Sequence, residues 1–204
     1  TMQALLKLSR GIDWLNTQVG KYVVWLILAS TVISGVNAVV RKAFNISSNA
    51  FLEVQWYLFA ASFLLAAGYA LLEKEHVKVD VINAKLSQRT RAWIDVFGFI
   101  FFLTPVCLIV LKYSIPFFLQ GFHSGEVSSN AGGLIRWPVY LMMPIGFGLL
   151  MLQGFSELIK RIAFLRGLID DPMVKRVEKS AEEELAEAIR QAKELAAAKK
   201  AQNA

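Results

Sequence analysis

The sequence predicts an all-α integral membrane protein with four transmembrane helices, amphipathic interfacial helices beside them, and both termini in the cytoplasm. Three observations predict it. Hydrophobic residues make up 55% of the 204 and charged residues only 19%, whereas a soluble domain carries about a quarter charged. The apolar residues gather into four long runs, giving a mean hydropathy of +0.46. Basic residues flank those runs unevenly, as the positive-inside bias requires.

The elements follow in chain order. Residues 1–20 place Leu5, Leu8, Ile12, Leu15 and Val19 at spacings of three and four, with Lys7, Arg10 and Asp13 largely on the other side. That pattern, with Trp14 suited to the headgroup zone, predicts an amphipathic helix lying along the cytoplasmic leaflet. No small-residue cleavage site follows a short apolar core here, so the segment does not read as a removable leader. Residues 21–160 form the membrane domain, with spans at about 22–40, 54–72, 93–118 and 137–155. The first two have 19 residues each and no formal charge, a length of about 28 Å against a hydrocarbon core of about 30 Å.

The third run is longer than a perpendicular span needs, so tilt, a kink at Pro105 or an interfacial end is expected. It carries Asp95 near one end and Lys112 near the other. Lys112 is expected to snorkel toward the nearer headgroups, an ion site being the competing reading. In the fourth run Pro138 suits a first helical turn, and Pro144 should bend the axis. Between spans two and three, Val79, Ile82 and Leu86 suggest a second surface-lying helix, with Lys85, Arg89 and Arg91 facing phosphates or water. Residues 161–204 are a cytoplasmic linker and a charged, alanine-rich helix.

Orientation comes from the flanks. Lys7, Arg10, Lys21, Lys74, Lys78, Lys85, Arg89, Arg91, Lys160, Arg161 and Arg166 lie on one side; Arg41, Lys42 and Arg136 lie on the other. The first side is cytoplasmic by the positive-inside rule, and the turn after span one and the loop before span four face outward.

Composition and motifs also exclude function classes. The net charge of +6 sits beside apolar runs rather than in an aromatic-studded groove, which points to membrane phospholipids and away from nucleic acid. Cys107 is alone inside an oily run, the two histidines are far apart, and no CxxC, P-loop, dinucleotide fingerprint or haem-attachment motif occurs. The expectation is a chain that is not an enzyme and holds no cofactor or metal.

A few polar residues stand out. Asn37 and Arg41, four apart, share a helical face near the end of span one. Arg41 either marks the interface or pairs with Glu53 across the short connection, fastening spans one and two. In YALLEKEHVKVD, His76 and Asp80 are also four apart and would meet if the helix continues; the alternation VKVDVI leaves an extended segment open, which separates them. The glycine- and serine-rich loop QGFHSGEVSSNAGGLIRWP offers His123, Glu126 and Arg136 as candidates for contact with a partner.

Three stretches carry a family likeness: NAVVRKAF, then EVQWYLFAASFLLAAGYALLEKEHVKVDVI, then GGLIRWPVYLMMPIGFGLLML. Over roughly residues 10 to 160 the chain resembles the small permease subunit, the DctQ-like membrane protein, of tripartite ATP-independent periplasmic (TRAP) transporters. The resemblance implies a multi-pass protein of the bacterial inner membrane. Such a subunit scaffolds a large elevator-type permease subunit, which binds the sodium ions, while a periplasmic solute-binding protein delivers an organic acid such as a dicarboxylate or sialic acid. It also implies that Asn37, Arg41, Glu53, His76 and Asp80 occupy the family's polar positions, as structural or subunit-interface residues. The family often shows two adjacent acids before span two; here Leu52 precedes Glu53. The alternative is a self-contained small oligomeric carrier or channel, with Lys112 and His76 lining its path.

Overall fold

A computed structural model describes residues 2–45, 48–73, 86–170 and 172. His76, Asp80, the predicted surface helix up to Lys85 and the tail from residue 173 lie outside the described residues. Four helices are long and apolar enough to cross a membrane: α1 (Met2–Phe44), α2 (Asn49–Leu72), α3 (Gln88–Ser124) and α4 (Trp137–Leu165). We call the end of the bundle where α1 begins the near end and the opposite end, where α2 begins, the far end.

Helix α1 joins what the sequence divides into an interfacial helix and a first span. It runs unbroken through Gly20 and Lys21 for 43 residues, a length of about 65 Å. Its buried positions in the first half are Ser9, Ile12, Asn16, Gly20 and Val23, a stripe of mostly small and polar residues. Leu5, Leu8, Trp14 and Leu15 of the expected apolar face are exposed. The helix therefore turns its polar stripe, not its leucine stripe, toward the bundle.

Helix α3 starts one turn before Trp93, capped by Ser87, whose hydroxyl accepts from the Thr90 N–H at 3.2 Å. Arg89 and Arg91 thus belong to the first turns of α3 rather than to a separate surface helix. Ahead of Pro105 the helix widens into a π-helical stretch, Phe99–Leu103. Pro105 has no N–H to give, and the widened turn lets both the N–H and the hydroxyl of Thr104 reach the Phe99 carbonyl, the hydroxyl at 2.8 Å. At its other end α3 continues past Phe118 to Ser124 and stops at Gly125, whose φ of 61° closes the helix. His123 is therefore helical, not part of the loop.

Helix α4 is the hub. It packs against α1, α2 and α3, and α1 also packs along α2. A methyl group at Gly146 would lie 2.6 Å from the Leu64 carbonyl oxygen, so glycine is what lets α4 and α2 approach backbone to backbone. The buried apolar residues are few and mostly small, including Ala61, Ala92, Cys107 and Ala163, while Trp25, Phe59, Phe63, Phe101 and Phe102 point outward. A water-soluble bundle inverts that arrangement; this one suits a hydrocarbon solvent.

Candidate functional site

The polar side chains collect at the two ends of the bundle. At the far end, residues 125–136 fold into a small hairpin-like turn, with Val127 bridged to Ile135 and the Ser128 N–H donating to the Leu134 carbonyl at 2.9 Å. One face of α2 grips it at successive turns. Asn49 donates to the Ala131 carbonyl at 2.9 Å, and the Tyr57 hydroxyl donates to the Ile135 carbonyl at 3.1 Å. Between them the Glu53 carboxylate, 3% exposed, takes three donors: the Ser128 hydroxyl, Asn130 Nδ2 at 2.8 Å and the Leu134 N–H at 2.7 Å. Charge-assisted bonds of this kind are the strong ones.

Of the two readings of Arg41, the pair with Glu53 does not form. Glu53 is turned into the 125–136 segment, and Arg41 is exposed on α1. The physical reason is competition. A backbone N–H and two fixed side-chain donors already saturate the carboxylate, and they cost less conformational entropy than immobilising an exposed arginine. Asn37 is half-buried one turn before Arg41. Arg136 pairs instead with Glu126 at 3.2 Å, and the Tyr140 hydroxyl donates to the same carboxylate at 3.0 Å. Tyr140 and the Glu126 charge hold the Arg136 guanidinium above its ordinary pKa. Together these residues line a cleft of about 290 Å³ whose polar groups include Glu53, Tyr57, Ser128, Asn130, Arg136 and Tyr140. His123 touches only the Phe122 ring, edge to face, among the described residues.

At the near end a larger network ties α1, α3 and α4, and sequence reasoning missed it as a unit. Ser9 and Ser156 share a hydroxyl contact of 2.7 Å, and Ser156 donates to Asp13 Oδ1 at 2.6 Å. Gln153 donates to the same oxygen at 2.9 Å and accepts from Asn16 Nδ2 at 3.0 Å. Lys160 bridges Asp13, at 3.0 Å, and Glu157. Arg161 forks between Glu157 and Asp95, the latter at 3.0 Å from Nε, and its guanidinium lies 5.2 Å from the centre of the Phe99 ring. Gln153, Glu157 and Arg161 are at most 2% exposed. Arginine suits this position because its planar fork satisfies two carboxylates on two helices at once.

The signal was present in the sequence as QGFSELIKR, where Gln153, Ser156, Glu157, Lys160 and Arg161 recur at helical spacing. Read as a flank, it lent two basic residues to orientation; its partners, Asp13, Asn16 and Asp95, are distant in sequence. Asn16 also reaches α2. Its Oδ1 has no N–H or O–H donor among the described residues and occupies the space that a methyl group on Gly68 would need.

Chemically, the carboxylates of both clusters are engaged: Glu53, Asp13 and Asp95 meet cations or hydrogen-bond donors from another helix or loop, and Glu157 meets Gln153, Lys160 and Arg161 of its own helix. Among the described residues no group of three histidine, cysteine or acidic side chains is arranged to hold a metal ion.

Comparison with known proteins returned one family, described as "Tripartite ATP-independent periplasmic transporters, DctQ component", which matches residues 30–164. No curated protein and no solved structure matches the chain.

Proposed function

We propose that this chain, which belongs to the DctQ component family of tripartite ATP-independent periplasmic transporters and so is the small membrane subunit of such a system, works as a rigid scaffold. It holds the large elevator-type permease subunit in position while a periplasmic solute-binding protein delivers an organic acid, such as a dicarboxylate or sialic acid, and sodium entry drives uptake. In this reading the near end is cytoplasmic, the far end is periplasmic, and the membrane is the bacterial inner membrane.

One observation carries the proposal. The polar groups at both ends of the bundle are engaged with each other: Glu53 with the 125–136 segment, Asp13 with Lys160 and Asp95 with Arg161 across helices, and Glu157 with Lys160 and Arg161 within α4. Groups committed in that way fix helix positions, and they leave little for solute coordination in an alternating-access cycle, which uses broken helices and freed backbone groups near the bilayer midplane. A stationary support beside a moving partner needs the first arrangement rather than the second.

Deleting this chain in the host while leaving the large subunit and the binding protein in place tests the proposal. Sodium-dependent uptake should be lost and the large subunit should become less stable in detergent extracts. Undiminished uptake without the chain contradicts the scaffold role.

A further inference from the structure

Lys112 is the one charged residue between Leu103 and Gly121 of α3. Two contacts fix its level in the bundle: Leu103 packs against Gly154 of α4, and Gly121 packs against the Tyr140 ring. Lys112 is nine residues from each, about 13 to 14 Å along the helix. Midway between those contacts, it would stand near the middle of the apolar layer they bracket, deeper than the position near the headgroups that snorkelling favours.

Its direction is equally definite. Cys107, Ser114 and Gly121 are the buried stripe of α3, and Lys112 lies roughly 160° around the helix from Ser114. It is exposed, among the exposed apolar side chains Leu108, Ile109, Ile115 and Leu119. Among the described residues its ammonium meets only the ring of Tyr113, at 5.9 Å. The residue four positions on is Pro116, inside the helix, so the Lys112 carbonyl is also denied its usual intrahelical donor. An ammonium and a carbonyl without its normal partner thus occupy one spot on an outward face at mid-bilayer depth. Lipid tails satisfy neither, and an ionisable group placed so is costly unless something polar meets it.

We infer that this face of α3 docks against a transmembrane helix of the large permease subunit, and that the helix presents an aspartate or glutamate carboxylate to Lys112. The inference rests on the small-subunit reading above. Charge complementarity selects the occupant. A second copy of this chain cannot supply the acceptor, because the runs 22–40, 54–72 and 137–155 contain no acidic residue and α3 has none between Asp95 and its end at Ser124.

The test coexpresses the full chain, affinity-tagged, with its large permease subunit and measures how much large subunit is retained after membrane extraction. Lys112→Leu should lower retention about tenfold or more by stranding the partner's carboxylate, while Lys112→Arg should hold near the wild-type level. The chain expressed alone should be as stable with Lys112→Leu as without it. Full retention by a folded Lys112→Leu chain overturns the inference and leaves the scaffold reading standing. Loss of stability in the isolated Lys112→Leu chain also overturns it, by showing an internal role. Failure of the wild-type chain to retain the large subunit overturns the scaffold reading itself, and this inference with it.

Discussion

Replacing Gly68 with alanine should break the near end of the bundle from a single methyl group. The new Cβ would fall inside the contact distance of Asn16 Oδ1 and 3.2 Å from the Leu149 carbonyl oxygen. The backbone of α4 cannot yield easily, so Asn16 must move and lose its 3.0 Å bond to Gln153. Overpacking of a filled site costs about 1–3 kcal/mol. Stranding the buried Asn16 and Gln153 groups adds about 1–3 kcal/mol. Alanine recovers about 1 kcal/mol through its helix propensity. The steric and hydrogen-bond losses win, leaving a net destabilisation of about 1–5 kcal/mol. Equilibrium unfolding of the purified chain in mixed micelles reads this directly. A double-mutant cycle sharpens it: Asn16→Ala alone destabilises, yet the Gly68→Ala, Asn16→Ala pair should be more stable than the sum of the two losses by at least about 1 kcal/mol, because the second change vacates the space the methyl needs. A Gly68→Ala variant within about 0.5 kcal/mol of wild type, or strict additivity in the cycle, refutes the packing described here.

Other substitutions separate the two clasps. Glu53→Gln keeps the shape but presents an amide N–H₂ to groups that are themselves donors, so amide hydrogen exchange in residues 125–136 should speed up; unchanged exchange there contradicts the clasp. Arg41→Ala should leave that exchange rate and the stability of the isolated chain unaltered, and a loss like that of Glu53→Gln would restore the discarded pair. Arg161→Met should cost about 3 kcal/mol or more in the same unfolding assay, since it leaves Glu157 and Asp95 short of a cation in a buried setting. Arg161→Lys should recover only part of that, lacking the fork that spans both acids; full recovery would count against the bridging geometry.

The spans were legible because hydropathy and length constrain a helix in a bilayer almost completely: the runs at 54–72 and 137–155 sit inside α2 and α4. Proline chemistry was half legible. Pro105 announced a disturbance, but its form, a π-helical stretch just before it, depends on Thr104 finding the Phe99 carbonyl. Glu53 was legible as a residue of interest, with a pair to Arg41 one of the two readings open; the chain could not show that Ser128, Asn130 and Leu134, some 75 to 81 residues away, fold back over it. Asn49 and Tyr57, at i−4 and i+4 of Glu53, were the available sign that one face of α2 receives something polar.

The near-end network was hidden for a different reason. Asp13, Lys160 and Arg161 each have a sufficient explanation in topology alone, as charges flanking a membrane segment, and periodicity ranks the Leu5–Leu8–Leu15 stripe above the Ser9–Asn16–Gly20 stripe that α1 actually buries. In a hydrocarbon solvent leucine gains nothing by facing inward, whereas close-approaching small and hydrogen-bonding residues do. The leucine stripe stays on the outside of the bundle, the side the sequence reading gave to the leaflet; what periodicity did not single out is the small and polar stripe that meets the bundle.

Reconstitution measures the central claim most directly. Vesicles holding the large permease subunit with this chain, supplied with the binding protein and a sodium gradient, should accumulate the organic acid. Vesicles holding this chain alone should show no flux, and vesicles holding the large subunit alone should show little. Solute flux through the purified chain by itself, or full transport by the large subunit without it, would contradict the account.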